Sequence, residues 1–351
     1  MSYTNGLDKP SDYFNTKLYT GDGTSPRSIT GVGFQPDWVW TKNRSGTNGH
    51  VLYDSVRGVS AGELSTHNSN AEGLATQYGE MTSFDSDGYT FQDGVTNGVV
   101  FNNSGNNYVS WNWLASNTTA SNTDGSITST VSANTTSGFS IVSYTGTGSN
   151  ATVGHGLGVV PKMIIVKYRS GAGDWTVYNS NIGNTNFLRL NGTLASTSQA
   201  TYWNNTTPTS SVFSVGSAGD VNTSSGTHIA YCFAEKKGFS KFGSYTGNGS
   251  NDGTFVYLGF KPAFVIVKRT DAVQSWYLLD NKRNTFNPED KYFKVDASSA
   301  EDTLSFFDFV SNGFKARGTG IGFNSSGGSF IYMAFAESPF VTSSGIPTVA
   351  R

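Results

Sequence analysis

Cysteine is nearly absent. Cys232 is the one cysteine in 351 residues, which excludes an intrachain disulfide and any cage of cysteine ligands for zinc or an iron–sulfur cluster. Stability must then come from packing. Charge is also scarce: Asp, Glu, Lys and Arg make up 14% of the chain, against roughly 25% in ordinary soluble domains. The formal net charge is -2 and no stretch is basic, so the electrostatic footprint of a nucleic-acid-binding surface is missing. Nucleic acid is not an expected partner. The longest apolar runs, such as Met163 to Val166 and Phe264 to Val267, are strand-length, and there is no polybasic segment for an anionic membrane. No membrane insertion is expected. The leading residues Met1-Ser2-Tyr3-Thr4-Asn5-Gly6 carry neither the basic nor the apolar region of a secretory signal, so release by another route is expected.

What is present points to β-structure. Gly, Ser, Thr and Asn abound, and aromatic residues reach 14%. The Glu, Lys, Leu and Ala that coat exposed helix faces are sparse, which predicts little helix. With 36% hydrophobic residues the chain has enough apolar surface to offset its conformational entropy and fold. Its length favours two or three domains over one small core.

Self-similarity is the strongest signal. Tyr19-Thr20-Gly21-Asp22-Gly23, Tyr144-Thr145-Gly146-Thr147-Gly148 and Tyr245-Thr246-Gly247-Asn248-Gly249 open three segments, and in each a proline follows the tyrosine by 17 positions: Pro36, Pro161 and Pro262. A Val/Ile/Trp-rich run comes next, ending in Lys42, Lys167 and Lys268, with Arg44, Arg169 and Arg269 close behind. An aromatic strand follows, then a variable stretch, then a closing strand: Tyr108 to Trp113, His228 to Phe233 and Phe330 to Phe335. The tyrosines are spaced by 125 and 101 residues, too far apart for solenoid repeats of about 20 to 50 residues. We therefore expect an all-β chain of three tandem, related β-sandwich domains, jelly-roll-like, each with a core of its own. Their bounds are placed at 18–120, 121–237 and 238–337. Residues 1–17 would form an N-terminal docking segment and 338–351 a C-terminal tail.

Physical chemistry assigns the repeated residues structural work. The Thr-Gly-x-Gly loops supply positive φ for turns; as phosphate cradles they lack the following helix and the Lys-Ser or Lys-Thr pair. The prolines would mark strand starts, where a missing N–H costs least. The runs behind them are apolar enough for contact on both faces. The lysines would stand at strand ends with their stems over apolar surface rather than bind anions.

No catalytic residue is assigned. His50, His67, His155 and His228 are scattered, and no nucleophile and base fall into a recognisable motif. Asp22, Asp37, Asp54, Asp85 and Asp87 of the first unit mostly lack counterparts in the others, which weakens a glycosidase pair. Asp85-Ser86-Asp87-Gly88 has Tyr89 where a calcium loop needs a ligand and reads as a β-turn. Neither a metal nor a cofactor is expected. As ligand-binding candidates, Tyr168, Tyr202 and Trp203 stand out as non-repeated aromatics in or beside Asn/Ser/Thr-rich sequence, where exposed rings would give contact area at low entropic cost; core or inter-domain packing is the alternative for each.

The phrases Gly31-Val32-Gly33-Phe34-Gln35-Pro36-Asp37-Trp38-Val39-Trp40, Thr82-Ser83-Phe84-Asp85-Ser86-Asp87-Gly88-Tyr89, Thr123-Asp124-Gly125-Ser126-Ile127-Thr128 and Val153-Gly154-His155-Gly156-Leu157-Gly158 resemble a group of marine bacteriophage proteins, found in phages of cyanobacteria and other ocean bacteria. The resemblance extends to the ending Ala336-Glu337-Ser338-Pro339-Phe340. That group consists of virion structural or tail-fibre-like proteins carrying a domain of unknown function, and it brings no catalytic residues. The resemblance implies a virion component made in the host cytoplasm, a homo-oligomer among other phage virion proteins. It implies a non-enzymatic tail-fibre or tail-appendage protein that contacts a host-surface glycan or protein receptor. A capsid-surface decoration protein and a glycan-binding or glycan-degrading β-sandwich protein are the alternatives.

Overall fold

The computed structural model describes residues 7–73 and 77–348, and the secondary structure is almost all antiparallel strand. In the first unit the strands are β1 (Phe14–Thr20), β2 (Arg27–Thr30), β3 (Trp38–Asn43), β4 (Val51–Asp54), β5 (Leu64–Ser65), β6 (Glu80–Asp85), β7 (Gly88–Gln92) and β8 (Asn107–Trp113). They form a main sheet in the order β1-β8-β3-β4-β5 and an outer sheet β2-β7-β6. The β1-β8-β3 and β2-β7 neighbours are those of a jelly roll; β4 departs from it by staying beside β3 through a hairpin. Ser86 and Asp87 turn the β6–β7 hairpin, as expected. The Asp87 carboxylate accepts from the Gly31 and Gly33 amides at 2.8 and 2.6 Å.

The second and third units repeat this plan. In the second, a hairpin of Ala120–Asn122 and Ser129–Asn134 extends the main sheet beside the opening strand Phe139–Thr145, and the outer sheet shrinks to Ala151–Gly154 and Val212–Val215. In the third, Glu289–Lys294 pairs with Asp302–Val310, so main and outer sheets run together as eight strands. Pro36 and Pro161 precede their strands by two residues. Pro262 instead lies inside Phe260–Arg269, where the register with the closing strand shifts, a bulge being where a strand tolerates proline.

The expectation of three self-contained cores needs correction. Each unit has its own outer core between main and outer sheets: Val39, Tyr53, Tyr89 and Phe91 in the first, Ile164, Val166 and Phe213 in the second, and Val265, Val267 and Phe314 in the third. The inner faces of all three main sheets, however, meet in one cluster. Alternate residues of each proline-led strand point into it: Trp38 and Trp40, Met163 and Ile165, Phe264 and Ile266. Rings interlock across units, with Trp38 4.8 Å from Tyr231, Phe14 5.3 Å from Phe335 and Phe233 6.1 Å from Phe335. Burial on both faces is why these strands lack polar alternation. Truncating Trp38 to alanine empties the junction of the first two units, and a loss of about 3–5 kcal/mol is expected from urea unfolding.

The expected bounds shift at the ends. Strand β1 reaches back to Phe14, inside the segment assigned to docking, and the last closing strand runs to Pro339. Within the described residues the two end segments meet each other: the Ser343 amide donates to the Asp8 carboxylate at 2.6 Å. Residues 1–6 of the docking segment and 349–351 of the tail lie outside the described residues.

Candidate functional site

The repeated polar residues prove to be the joints of a closed ring. Lys42, Lys167 and Lys268 stand at the ends of their strands, as expected, and are fully buried there. Each ammonium donates to carbonyl oxygens of its own unit and of the next: Lys42 to Asn48 (2.6 Å) and to Ser298 of the third unit (3.2 Å), Lys167 to Gly173 (2.6 Å) and to Ser69 of the first (3.1 Å), Lys268 to Gln274 and to Thr193 of the second (2.9 Å). Burial pushes Lys42 down to about 7 and the other two to about 8. The same direction is followed by His50, Trp175 and Trp276, whose ring nitrogens meet the carbonyls of Lys294, Ser65 and Arg189. Arg44 forks onto Glu301 and Arg169 onto Glu72, each through two bonds of 2.7–2.9 Å. The third copy breaks the pattern, since Arg269 turns to Asp271 of its own unit.

Tyr19, Tyr144 and Tyr245 stack on the closing strands, on Tyr108, His228 and Phe330 at 5.0–5.1 Å. In the loops behind them the first glycine lies so close to a carbonyl that a Cβ would sit 2.2–2.3 Å from it, and the second has φ of +65° to +74°. Their amides are spent on the opposite loop: the Gly23, Gly148 and Gly249 N–H groups donate to Asn102, Asn222 and Asn324 carbonyls. These loops offer no free amides to a phosphate.

The aromatic binding candidates do not converge on a surface. Trp203 and Tyr202 are 2% and 5% exposed in the second unit's outer core. Tyr202 stacks on Phe187 at 3.7 Å, and the Trp203 indole donates to Asn186. The polar flanks stay exposed while a single helical turn, Ala200–Trp203, directs both rings inward. Tyr168 is half-buried and packs against His228; it stands apart from the other two.

Two of the units also carry Asp-x-x-Arg after the aromatic strand. Asp54 does have a counterpart, Asp280, and each holds an arginine three residues on, Arg57 and Arg283, in a pair with no exposed side-chain surface. Asp54 also accepts from the Tyr231 hydroxyl at 2.7 Å and Asp280 from the Trp111 indole at 3.0 Å, across the unit boundary. Glu72 and Glu301 bind the far ends of these arginines. In the second unit the motif reads Asn179-Ser180-Asn181-Ile182, and both charges are gone.

In the third unit this pair anchors a loop that shapes a cleft of about 450 Å³. Past Arg283 the chain swings outward, presents Phe286 at 80% exposure, and is tied down again by Asn287, whose amide group donates to and accepts from the Phe309 backbone at 2.9 Å. Lys261 and Glu337 form one wall as an ion pair of 2.7 Å, with Lys282 3.9 Å from the same carboxylate. The floor carries Glu289, 3% exposed, whose Oε2 is buried without a hydrogen-bond partner; Asn281 Oδ1 is likewise unpartnered. Burial, reinforced by Asp280, raises the Glu289 carboxyl to about 8, so at neutral pH it is mostly a protonated acid.

A family model described as a domain of unknown function, DUF7483, matches residues 9–339. The chain belongs to the DUF7483 family. The matched span takes in all three units of this DUF7483 chain, as one domain, which accords with their shared core. No significant match to a curated protein or to a solved structure was found.

The raised Glu289 carboxyl has a measurable signature. An acid whose folded value lies above its unfolded one keeps its proton in the fold, so stability falls as pH rises from about 4.5 towards 8 and levels off beyond. The free energy of unfolding of the native chain relative to Glu289→Gln should fall by roughly 3–5 kcal/mol between pH 5 and pH 8. Parallel curves for the two proteins would show that Glu289 ionises freely in the fold.

Proposed function

We propose that this chain is a non-enzymatic virion protein of a bacteriophage, a tail appendage that adheres to the host surface. The observation that carries the reading is the division of labour in the fold. Repeated polar groups close the three units into a rigid ring, while an open concavity with a projecting aromatic ring lies in the third unit. A rigid β scaffold presenting a variable loop is how recognition surfaces are built. The resemblance to marine phage virion proteins supplies the setting.

Labelled full-length protein is expected to bind saturably to cells of a susceptible marine bacterium and not to receptor-deficient mutants. Antibody-gold on purified particles is expected on the tail. A capsid decoration protein remains the second reading, favoured by the ring itself, since three related units around a common centre suit a site of threefold symmetry. Gold confined to the head would establish it against the tail reading. Release of reducing ends from host polysaccharide would overturn the non-enzymatic reading.

A further inference from the structure

We propose that the cleft of the third unit, between the Phe286 loop and the Lys261–Glu337 pair, binds an uncharged saccharide, with Phe286 as the stacking face and Glu289 and Asn281 as the hydrogen-bonding floor. This deepens the adhesion reading above and rests on it for its biological sense.

Four observations converge on that ligand class. The volume, about 450 Å³, falls in the range of small-ligand sites and suits one or two sugar rings. Phe286, at 80% exposure, is the most exposed aromatic ring among the described residues, on a loop pinned at both ends by Arg283 and Asn287. An aromatic face held out rigidly gains contact area at little entropic cost when a flat apolar patch, such as the C–H face of a pyranose, covers it. Two of the floor residues then hold a buried oxygen without a partner, Glu289 Oε2 and Asn281 Oδ1, which a turn of the side chain would bring to a ligand. Unpaired buried polar atoms are costly, and adjacent hydroxyl groups, each both donor and acceptor, are the chemistry that repays them.

Charge selects against the rivals. Both lysines of the lining, Lys261 and Lys282, are turned to the Glu337 carboxylate, and Glu289, mostly protonated, adds no charge. A phosphate or sulfate would have to compete with Glu337 for these ammonium groups, and an amine would face them. A neutral polyol meets donors and acceptors of both kinds without breaking the ion pair. Asp and Glu are not gathered here as a metal site would need, and no cluster of three or more such ligands exists among the described residues.

The test uses the intact chain against immobilised neutral oligosaccharides of hexoses and N-acetylhexosamines, beside uronic-acid and sulfated ones. Binding to at least one neutral structure is expected, with none to the charged sets. Phe286→Ala should weaken it tenfold or more, and Glu289→Ala should do the same. Glu289→Gln, which keeps a donor and an acceptor in the same place, should retain most of it. Tyr257→Ala, at an exposed aromatic outside the cleft, should bind as the native chain does. Equal binding by the native, Phe286→Ala and Glu289→Ala proteins, or no neutral sugar bound, overturns the proposal. Cell adhesion is scored separately: adhesion that persists without sugar binding sinks the saccharide and spares the appendage reading. Sugar binding without adhesion does the reverse.

Discussion

A chain cut to residues 121–237 is expected not to fold by itself, although its sequence reads as a complete sandwich. Its main sheet would present Phe139, Ile141, Met163, Ile165, Tyr231 and Phe233 to water, all of which are buried in the shared cluster. Each such side chain loses roughly 1.5–3 kcal/mol on exposure, and the sum for the six is as large as the roughly 5–15 kcal/mol that separates a typical domain from its unfolded state. The lock contributed by its neighbours would go too, leaving Lys167 buried without the Ser69 carbonyl. Circular dichroism and the proton spectrum of the fragment should show an unfolded or aggregated chain. The complete protein should unfold in one transition, coincident by tryptophan fluorescence and circular dichroism. Three separable transitions, or a well-dispersed spectrum for the fragment, would establish autonomous domains.

Asp280→Asn should cost about 3–5 kcal/mol, because it strands the Arg283 guanidinium in an interior that shields it from water. Arg283 would keep Glu301 at 3.2 Å and the Leu278 carbonyl, but lose the carboxylate at 2.6 Å. The second unit already contains the neutral solution, with Asn179 and Ile182 at the corresponding places. The double variant Asp280→Asn/Arg283→Ile should therefore recover more than half of the loss, since no buried charge is left unpaired and Glu301 still holds Arg44 through two bonds. Urea midpoints at equal slopes measure both. A double variant as unstable as the single would mean that the arginine acts through something other than its charge.

Much of this architecture was legible before any fold was seen. Tyr-Thr-Gly-x-Gly with a proline 17 residues on was enough to register the three units, because positive φ and close backbone approach leave glycine as the residue that fits. The absence of helix formers gave the class. Trp203 and Tyr202 take the packing alternative rather than the binding one, because local polarity describes the sequence around a ring, not the face to which the fold turns it. The Asp-x-x-Arg pairs were passed over because two copies out of three look like coincidence. The second unit's loss of both charges together shows that they act as a unit. Phe286 and Glu289 carried no signal at all, since nothing in a sequence distinguishes a loop phenylalanine that is exposed from one that is covered.

By itself, then, the sequence determined the all-β class, the threefold repetition, the turn chemistry and the two-sided burial of the proline-led strands, because these depend on local sterics and on periodicity along one strand. The tertiary structure decided that three inner sheet faces share one core, that Lys42, Lys167 and Lys268 reach into the next unit, and that the cleft beside Phe286 opens in the third. Those outcomes depend on which faces meet across more than a hundred residues of chain, and burial, unlike backbone preference, is a property of what lies opposite.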